Sequence, residues 1–235
     1  MKRFYKLVST KQEPEGWAIH LDGKPVKTPL KTMLLASNEG IANAIVQEWT
    51  SQEEVIDPET MPLTQLLSTQ IDHVGEQRAA MSEAVLKYLD TDLLCYRAGD
   101  QPDGQAEKQA EIWDPWLAWF EKEFKASLKT TTDLAALNQP PEAHNAVREH
   151  VKKLDNARFT VLQLVVPASG SLVLGMAFVE QALTSQDVYN AARVEEHFKD
   201  EIYDAERYGR DPLSEKRDAA MLRDLEAAAQ LLKLL

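Results

Sequence analysis

Apolar and polar side chains alternate along residues 3–8 and again along 17–21, the period of a strand with one buried face. Asp22-Gly23 follows as a tight-turn signal, and residues 24–27 and 32–36 read as further short strands. Two or three strands are marginal alone in water, so this small antiparallel unit must pack on the rest of the chain. From Asn38 the period becomes helical. Asn38 is placed to cap a helix whose Ile45 and Trp49 share one face, and Asp57-Pro58 interrupts it.

The helical pattern then repeats to the end of the chain. Residues 60–73 put Leu63, Leu66, Leu67 and Ile71 inward, and 77–89 make a third helix. Residues 90–97 fit no clear period, and 99–104 form a loop. Residues 105–126 predict a long amphipathic helix carrying Trp113, Trp116, Leu117, Phe120 and Phe124. Pro115 lies inside it, where a missing backbone donor predicts a kink or a restart. Pro140-Pro141 opens a helix over 142–155. The apolar stretch 159–166 and the small-residue run 169–178 follow, then helices over 185–207 and 214–235 separated by Gly209 and Pro212. The expected fold is α+β, with an N-terminal β-rich domain over 1–37 and a larger all-α domain over 38–235.

Composition narrows the function classes. With 235 residues, 44% apolar and 27% charged, the chain can bury a real core. Its net charge is −12, unevenly spread: residues 1–36 hold seven Lys/Arg against three Asp/Glu, so the remainder carries −16. That balance argues against a nucleic-acid partner and suits contact with basic protein surfaces. Cys95 stands alone, so no intramolecular disulfide or multi-cysteine metal site can form. No apolar run approaches the length of a membrane span, so no membrane insertion is expected. The start lacks a targeting pattern, which fits a bacterial cytoplasmic protein or a processed chain of the mitochondrial matrix.

Catalytic signatures are missing or incomplete. Asp22-Gly23-Lys24-Pro25 lacks the first glycine and the hydroxyl of a phosphate loop, and its proline removes an amide the cradle would use. Ser169-Gly170-Ser171 is not a nucleophile elbow, and Cys95 sits among Leu93, Leu94 and Tyr96 as a small hydrophobe would. The most suggestive cluster is on the 185–207 helix. His197 and Glu201 share one face there, and Glu196, Asp200 and Asp204 make an acidic stripe. A metal-dependent hydrolase built on His197 and Glu201 is the alternative reading, and Asp72, Asp90, Asp92 and Asp114 are carboxylates that could converge in space. A metal site needs three or four ligands, and no matching histidine pattern recurs. A partner-facing acidic surface is the simpler reading.

Several blocks carry a resemblance when read in order. They are Lys2-Arg3-Phe4-Tyr5-Lys6, Leu21-Asp22-Gly23-Lys24-Pro25-Val26-Lys27-Thr28-Pro29, Glu48-Trp49 with Gln52, Met61-Pro62-Leu63-Thr64, Thr91-Asp92-Leu93-Leu94-Cys95-Tyr96-Arg97 and Trp113-Asp114-Pro115. Gly170-Ser171-Leu172 and Asp200-Glu201 continue the series. The ordered set resembles the F1-ATPase assembly chaperones specific for the α subunit of ATP synthase. This resemblance implies a monomeric, cofactor-free chaperone, not an enzyme, that holds unassembled α subunit until a β subunit takes its place. It makes Glu201, Asp200, Asp204 and Glu196 candidate partner contacts, and Trp49, Asp92, Arg97, Trp113 and Asp114 structural motif residues. One departure stands out: the family's glutamine and Trp-Gly pair after Asp200-Glu201 are replaced by Asp204 and Tyr208-Gly209.

Overall fold

The computed structural model describes residues 1–99, 102–202, 209 and 211–235. Four strands form one antiparallel sheet: β1 (Val8–Glu13), β2 (Gly16–Leu21), β3 (Lys24–Pro25) and β4 (Leu35–Ala36). Strand β2 is central. It pairs with β1 from Val8 opposite Leu21 to Glu13 opposite Gly16, and its other edge takes β3 at His20 and β4 at Trp17 and Ala18. Asp22 (φ 48°) and Gly23 (φ 80°) both adopt left-handed backbone, as a two-residue hairpin turn requires. Gly16 admits no side chain, because a Cβ there would lie 2.3 Å from the Ala36 carbonyl oxygen.

The predicted strand over 3–8 does not form; the first strand starts at Val8. The alternating side chains are present, but the backbone donors go elsewhere. The N–H groups of Lys6 and Leu7 donate to the Asp22 carboxylate at 3.1 and 2.8 Å, and Arg3 N–H donates to the Glu54 carbonyl at 2.9 Å. A carboxylate and the segment after the first helix thus replace a neighbouring strand.

Helix α1 (Glu39–Thr50) lies across β1 and β2 and buries Ile41, Ala42 and Ile45. Asn38 caps it as the sequence predicts, accepting from Ile41 N–H at 2.9 Å, and its amide also donates to the Leu234 carbonyl at 2.8 Å. Helix α2 (Pro62–Thr69) runs through a single π turn, Gln70–Val74, into α3 (Gly75–Leu86), so two predicted helices are one winding with a bulge. Short 3-10 turns at Lys87–Thr91 and Leu93–Cys95 fill the stretch that showed no period.

Helix α4 (Gln105–Phe124) continues through Pro115 as one element. Helices α5 (Pro141–Lys153), α6 (Asn156–Ser169), α7 (Leu172–Val179), α8 (Ser185–Ala192), α9 (Val194–Ile202) and α10 (Pro212–Leu234) follow. The apolar stretch and the small-residue run are therefore the helical pair α6 and α7, and every residue of α7 is buried. The long helix predicted over 185–207 breaks at Arg193. Hydrophobic spacing runs across the break, whereas the Ala191 carbonyl is drawn to the Trp113 indole N–H at 2.8 Å. Asp204 and the other residues of 203–208 fall outside the described part.

One apolar cluster runs from Tyr5 near the N-terminus and Ile19 in the sheet to Leu231 and Leu232 in α10. Among the described residues, no helix is long and apolar enough to cross a membrane. Helices α6 and α7 pack closely at Gly175, where a Cβ would stand 2.5 Å from Val166 Cγ2 and 3.1 Å from Leu162 Cδ1 on α6. Val166 is branched and buried, so it has little room to yield. Gly175→Val is expected to cost about 1–3 kcal/mol by overpacking, read as a lower urea midpoint; an unchanged midpoint would show that α6 and α7 can separate freely.

Candidate functional site

The acidic helix α9 is held on one side and open on the other. Val194 is buried at its start, and α9 packs against α4. Gln109 of α4 is fully buried and bridges two segments: its carbonyl accepts from Ala98 N–H at 2.7 Å, and its amide donates to Glu195 Oε1 at 2.7 Å. Phe198 lies against Gly104, the left-handed residue (φ 87°) that precedes α4, where a Cβ would be 3.6 Å from the ring. His197 stacks on Tyr189 with centroids 5.4 Å apart and its Nε2 3.4 Å from the phenol oxygen.

The acidic stripe divides by charge. Glu196, Lys199 and Asp200 line a crevice of about 200 Å³ with Arg193, Arg217 and Asp218. Within it Arg193 reaches Glu196 at 3.5 Å and lies 3.2 Å from Asp218 without hydrogen-bond alignment. Glu196 and Asp200 therefore sit in a field of their own chain's cations. Glu201 does not: it is exposed, and among the described residues it meets no cation. Ile202 beside it is 51% exposed, and Leu213 at the start of α10 is 64% exposed. An exposed carboxylate next to apolar surface can attract a basic side chain and bury methylenes at once.

The alternative chemistry does not assemble. His197 is engaged with Tyr189, and among the described residues no three metal-ligating side chains gather. The four aspartates diverge, each with its own partner. Asp72 accepts from Thr28 Oγ1 at 2.6 Å; Asp90 faces His144 Nε2 at 3.0 Å; Asp92 accepts from Ser171 Oγ at 2.8 Å; Asp114 pairs with Arg97 at 2.6 Å. Ser171 caps α7, accepting from Leu174 N–H at 3.0 Å. Burial drives the Cys95 thiol far above its ordinary range, so it stays neutral.

The motif residues form the support of α9. Asp92 is fully buried and also accepts from the N–H groups of Leu94 and Val173, at 3.0 and 2.9 Å, thereby joining the turn before Arg97 to the start of α7. Burial outweighs these donors and raises its pKa to about 6. Arg97 stacks over Trp113 at 5.3 Å while it holds Asp114. Trp113 is fully buried on α4 and ties α8 at Ala191, three residues before α9 begins. Along α4, the buried residues Gln109 and Trp113 are one turn apart, so one face anchors both the break at Arg193 and α9 itself.

The remaining blocks build the sheet and helix junction. Trp49 is partly exposed, with Tyr5 packed edge-on at 5.6 Å and the Tyr5 hydroxyl donating to the Trp49 carbonyl at 2.7 Å. Glu48 caps α2 from a distance, accepting from Leu63 N–H at 2.7 Å and from the Thr64 N–H and hydroxyl at 2.8 and 2.7 Å. Burial nonetheless raises its pKa. Sequence reasoning missed Gln109 and this role of Glu48. Gln109 carried one signal, a polar residue on the apolar face of α4.

Comparison with known proteins gives the family and matches the fold. A sequence model described as ATP12 chaperone protein matches residues 2–121. The mitochondrial Atp12 proteins of Schizosaccharomyces pombe and Saccharomyces cerevisiae are 25% and 22% identical. The first match covers 79% of this chain and 67% of the relative, the second 83% and 70%. The crystal structure of Atp12 from Paracoccus denitrificans superposes with a TM-score of 0.87 at 35% identity, over 99% of this chain and 97% of that one. The Atu1473 protein of Agrobacterium tumefaciens gives 0.89 at 34%, covering 99% of this chain and 85% of that one. Matched over half its length by the sequence model and nearly end to end by a solved relative, this chain belongs to the ATP12 chaperone family.

Proposed function

We propose that this protein assists assembly of the F1 sector of ATP synthase, holding the unassembled α subunit and preventing its aggregation until it pairs with β. The observation that carries the site is Glu201, the exposed carboxylate of α9 that meets no cation among the described residues, while Glu196 and Asp200 line a crevice with Arg193 and Arg217. Glu201 and Ile202 meet basic and apolar groups that the α subunit later buries, and Asp200, Glu196 and Asp204 add negative potential around them. Trp49, Asp92, Arg97, Trp113 and Asp114 act by holding the fold. Holding is passive and works on a monomer without nucleotide or metal.

Denatured α subunit diluted into buffer should scatter less light in the presence of this protein and elute with it from a sizing column. Glu201→Lys is expected to keep the fold, because the side chain is exposed, and to weaken holding at least tenfold by placing like charge against the basic client. Unchanged holding by Glu201→Lys would remove α9 as the contact, and unaffected aggregation with wild type would remove the client.

A further inference from the structure

A groove of about 510 Å³ opens at the other functional block of the chain, between the sheet, α1 and α2. Trp49, Ile56, Met61 and Leu34 supply apolar walls, and Lys27 and His73 stand among them. Asp72 is the one carboxylate of the lining, and it is committed: both its oxygens accept, from Thr28 Oγ1 at 2.6 Å and from Leu30 N–H at 3.0 Å. Lys27 has no ion-pair partner among the described residues. Lys27 is exposed and Asp72 is buried, so the open face of the groove offers a lysine ammonium in a chain whose net charge is −12.

The loop that gives Thr28 and Pro29 to the lining is stiff, and it carries the exposed Leu30. Of the large apolar side chains left exposed among the described residues, Met1, Phe4, Leu7, Leu30, Met33 and Val55 all belong to the first 55 residues. Leu30 is 62% exposed at the tip of a loop fixed from within: Lys31 N–H donates to the Thr28 carbonyl at 2.9 Å, and Thr28 N–H to the Thr32 carbonyl at 2.8 Å. Asp72 fixes the same loop from outside, from a π turn that aims it there. Lys31 takes a left-handed backbone (φ 69°), which is strained for a residue with a side chain and persists only when its surroundings impose it. A loop held this way loses little freedom when something docks on it.

We propose that this groove docks an extended segment of a partner protein in which apolar and acidic side chains alternate. The apolar side chains lie against Trp49, Met61 and Leu30, and the acidic ones face Lys27 and His73. This surface shares no residue with the α9 site and has the opposite charge. A client held at both places would be gripped at a basic region and at an acidic one.

The probe is a short fluorescein-labelled peptide of Leu-Glu repeats, compared with one of Leu-Lys repeats, titrated with the full chain and read by anisotropy. The Leu-Glu peptide should bind saturably and at least tenfold more tightly than the Leu-Lys peptide. Lys27→Glu should abolish or invert that preference, Leu30→Ser should weaken binding several-fold, and Glu201→Lys should leave it unchanged. Both groove positions are exposed, and circular dichroism checks that the variants fold. Equal affinity for the two peptides, no binding of either, an unaltered preference in Lys27→Glu, or a loss in Glu201→Lys would each overturn the proposal. Because α subunit is absent from the assay, its outcome is independent of the client's identity.

Discussion

Trp113→Ala is expected to lower the free energy of unfolding by about 3–5 kcal/mol, the range for truncating a large aromatic in a tight core. Three losses act together at this residue. The ring is fully buried, so its removal leaves a cavity between α4 and α8. The Ala191 carbonyl loses its indole donor at 2.8 Å, and Arg97 loses the face it stacks on at 5.3 Å. Trp113→Phe keeps most of the volume and drops the donor, so it should cost about 1–3 kcal/mol, the penalty of an unsatisfied buried polar group. Urea unfolding measures both. The truncation should also speed hydrogen exchange in α9, since the tether at Ala191 lies just before it. A loss below about 1 kcal/mol for Trp113→Ala would mean that the site collapses readily and that Trp113 does not anchor α9.

The second large effect is a pH dependence centred on Asp92. Its carboxyl is raised from 3.8 to about 6, chiefly by burial and in spite of the donors from Val173, Ser171 and Leu94. Between these two values the folded chain keeps a proton that the unfolded chain has released. Stability from this group is thus present below about 4 and falls as pH rises through 6. A shift of this size corresponds to about 3 kcal/mol. Asp92→Asn cannot ionise, so from pH 4 to pH 7 the variant should gain about 3 kcal/mol relative to wild type. Other carboxylates, such as Asp22 and Glu83, are held below their usual range by hydrogen bonds and shift stability the opposite way, but they are common to both proteins and cancel. A constant gap, or one that widens in favour of wild type, would show that Asp92 is better solvated than its burial implies.

Local signals were legible along the sequence. Strand β2, the Asp22-Gly23 turn, the Asn38 cap and the start of α5 at Pro141 follow from residues within a few positions of one another. What escaped joins distant residues. Glu48 caps a helix fifteen residues away, Asp72 holds a loop 42 residues upstream, and Gln109 reaches Glu195 across 86 residues. Periodicity cannot show such contacts, because each is a single polar residue meeting a group that packing brings to it from far along the chain. The break at Arg193 was hidden for the opposite reason. Apolar spacing runs through it unaltered, and the competing hydrogen bond comes from another helix.

The same division applies to the candidate site. The sequence marked an acidic stripe and could not say which carboxylates were already neutralised. Packing against α10 places Glu196 and Asp200 beside Arg193 and Arg217, and leaves Glu201 facing solvent. Of the three candidates within α9, Glu201 is thereby the one whose exposed charge stands beside Ile202 and apart from that crevice. Trp113 and Gln109 tie α4 to Ala191 and Glu195, so residues far apart in the chain hold this helix.

Co-purification from a cell that makes ATP synthase tests the central claim most directly. Tagged protein recovered under gentle conditions should carry the unassembled α subunit as its main partner, with Glu201→Lys recovering much less of it at equal expression. A main partner other than the α subunit, or equal recovery by wild type and variant, would contradict it.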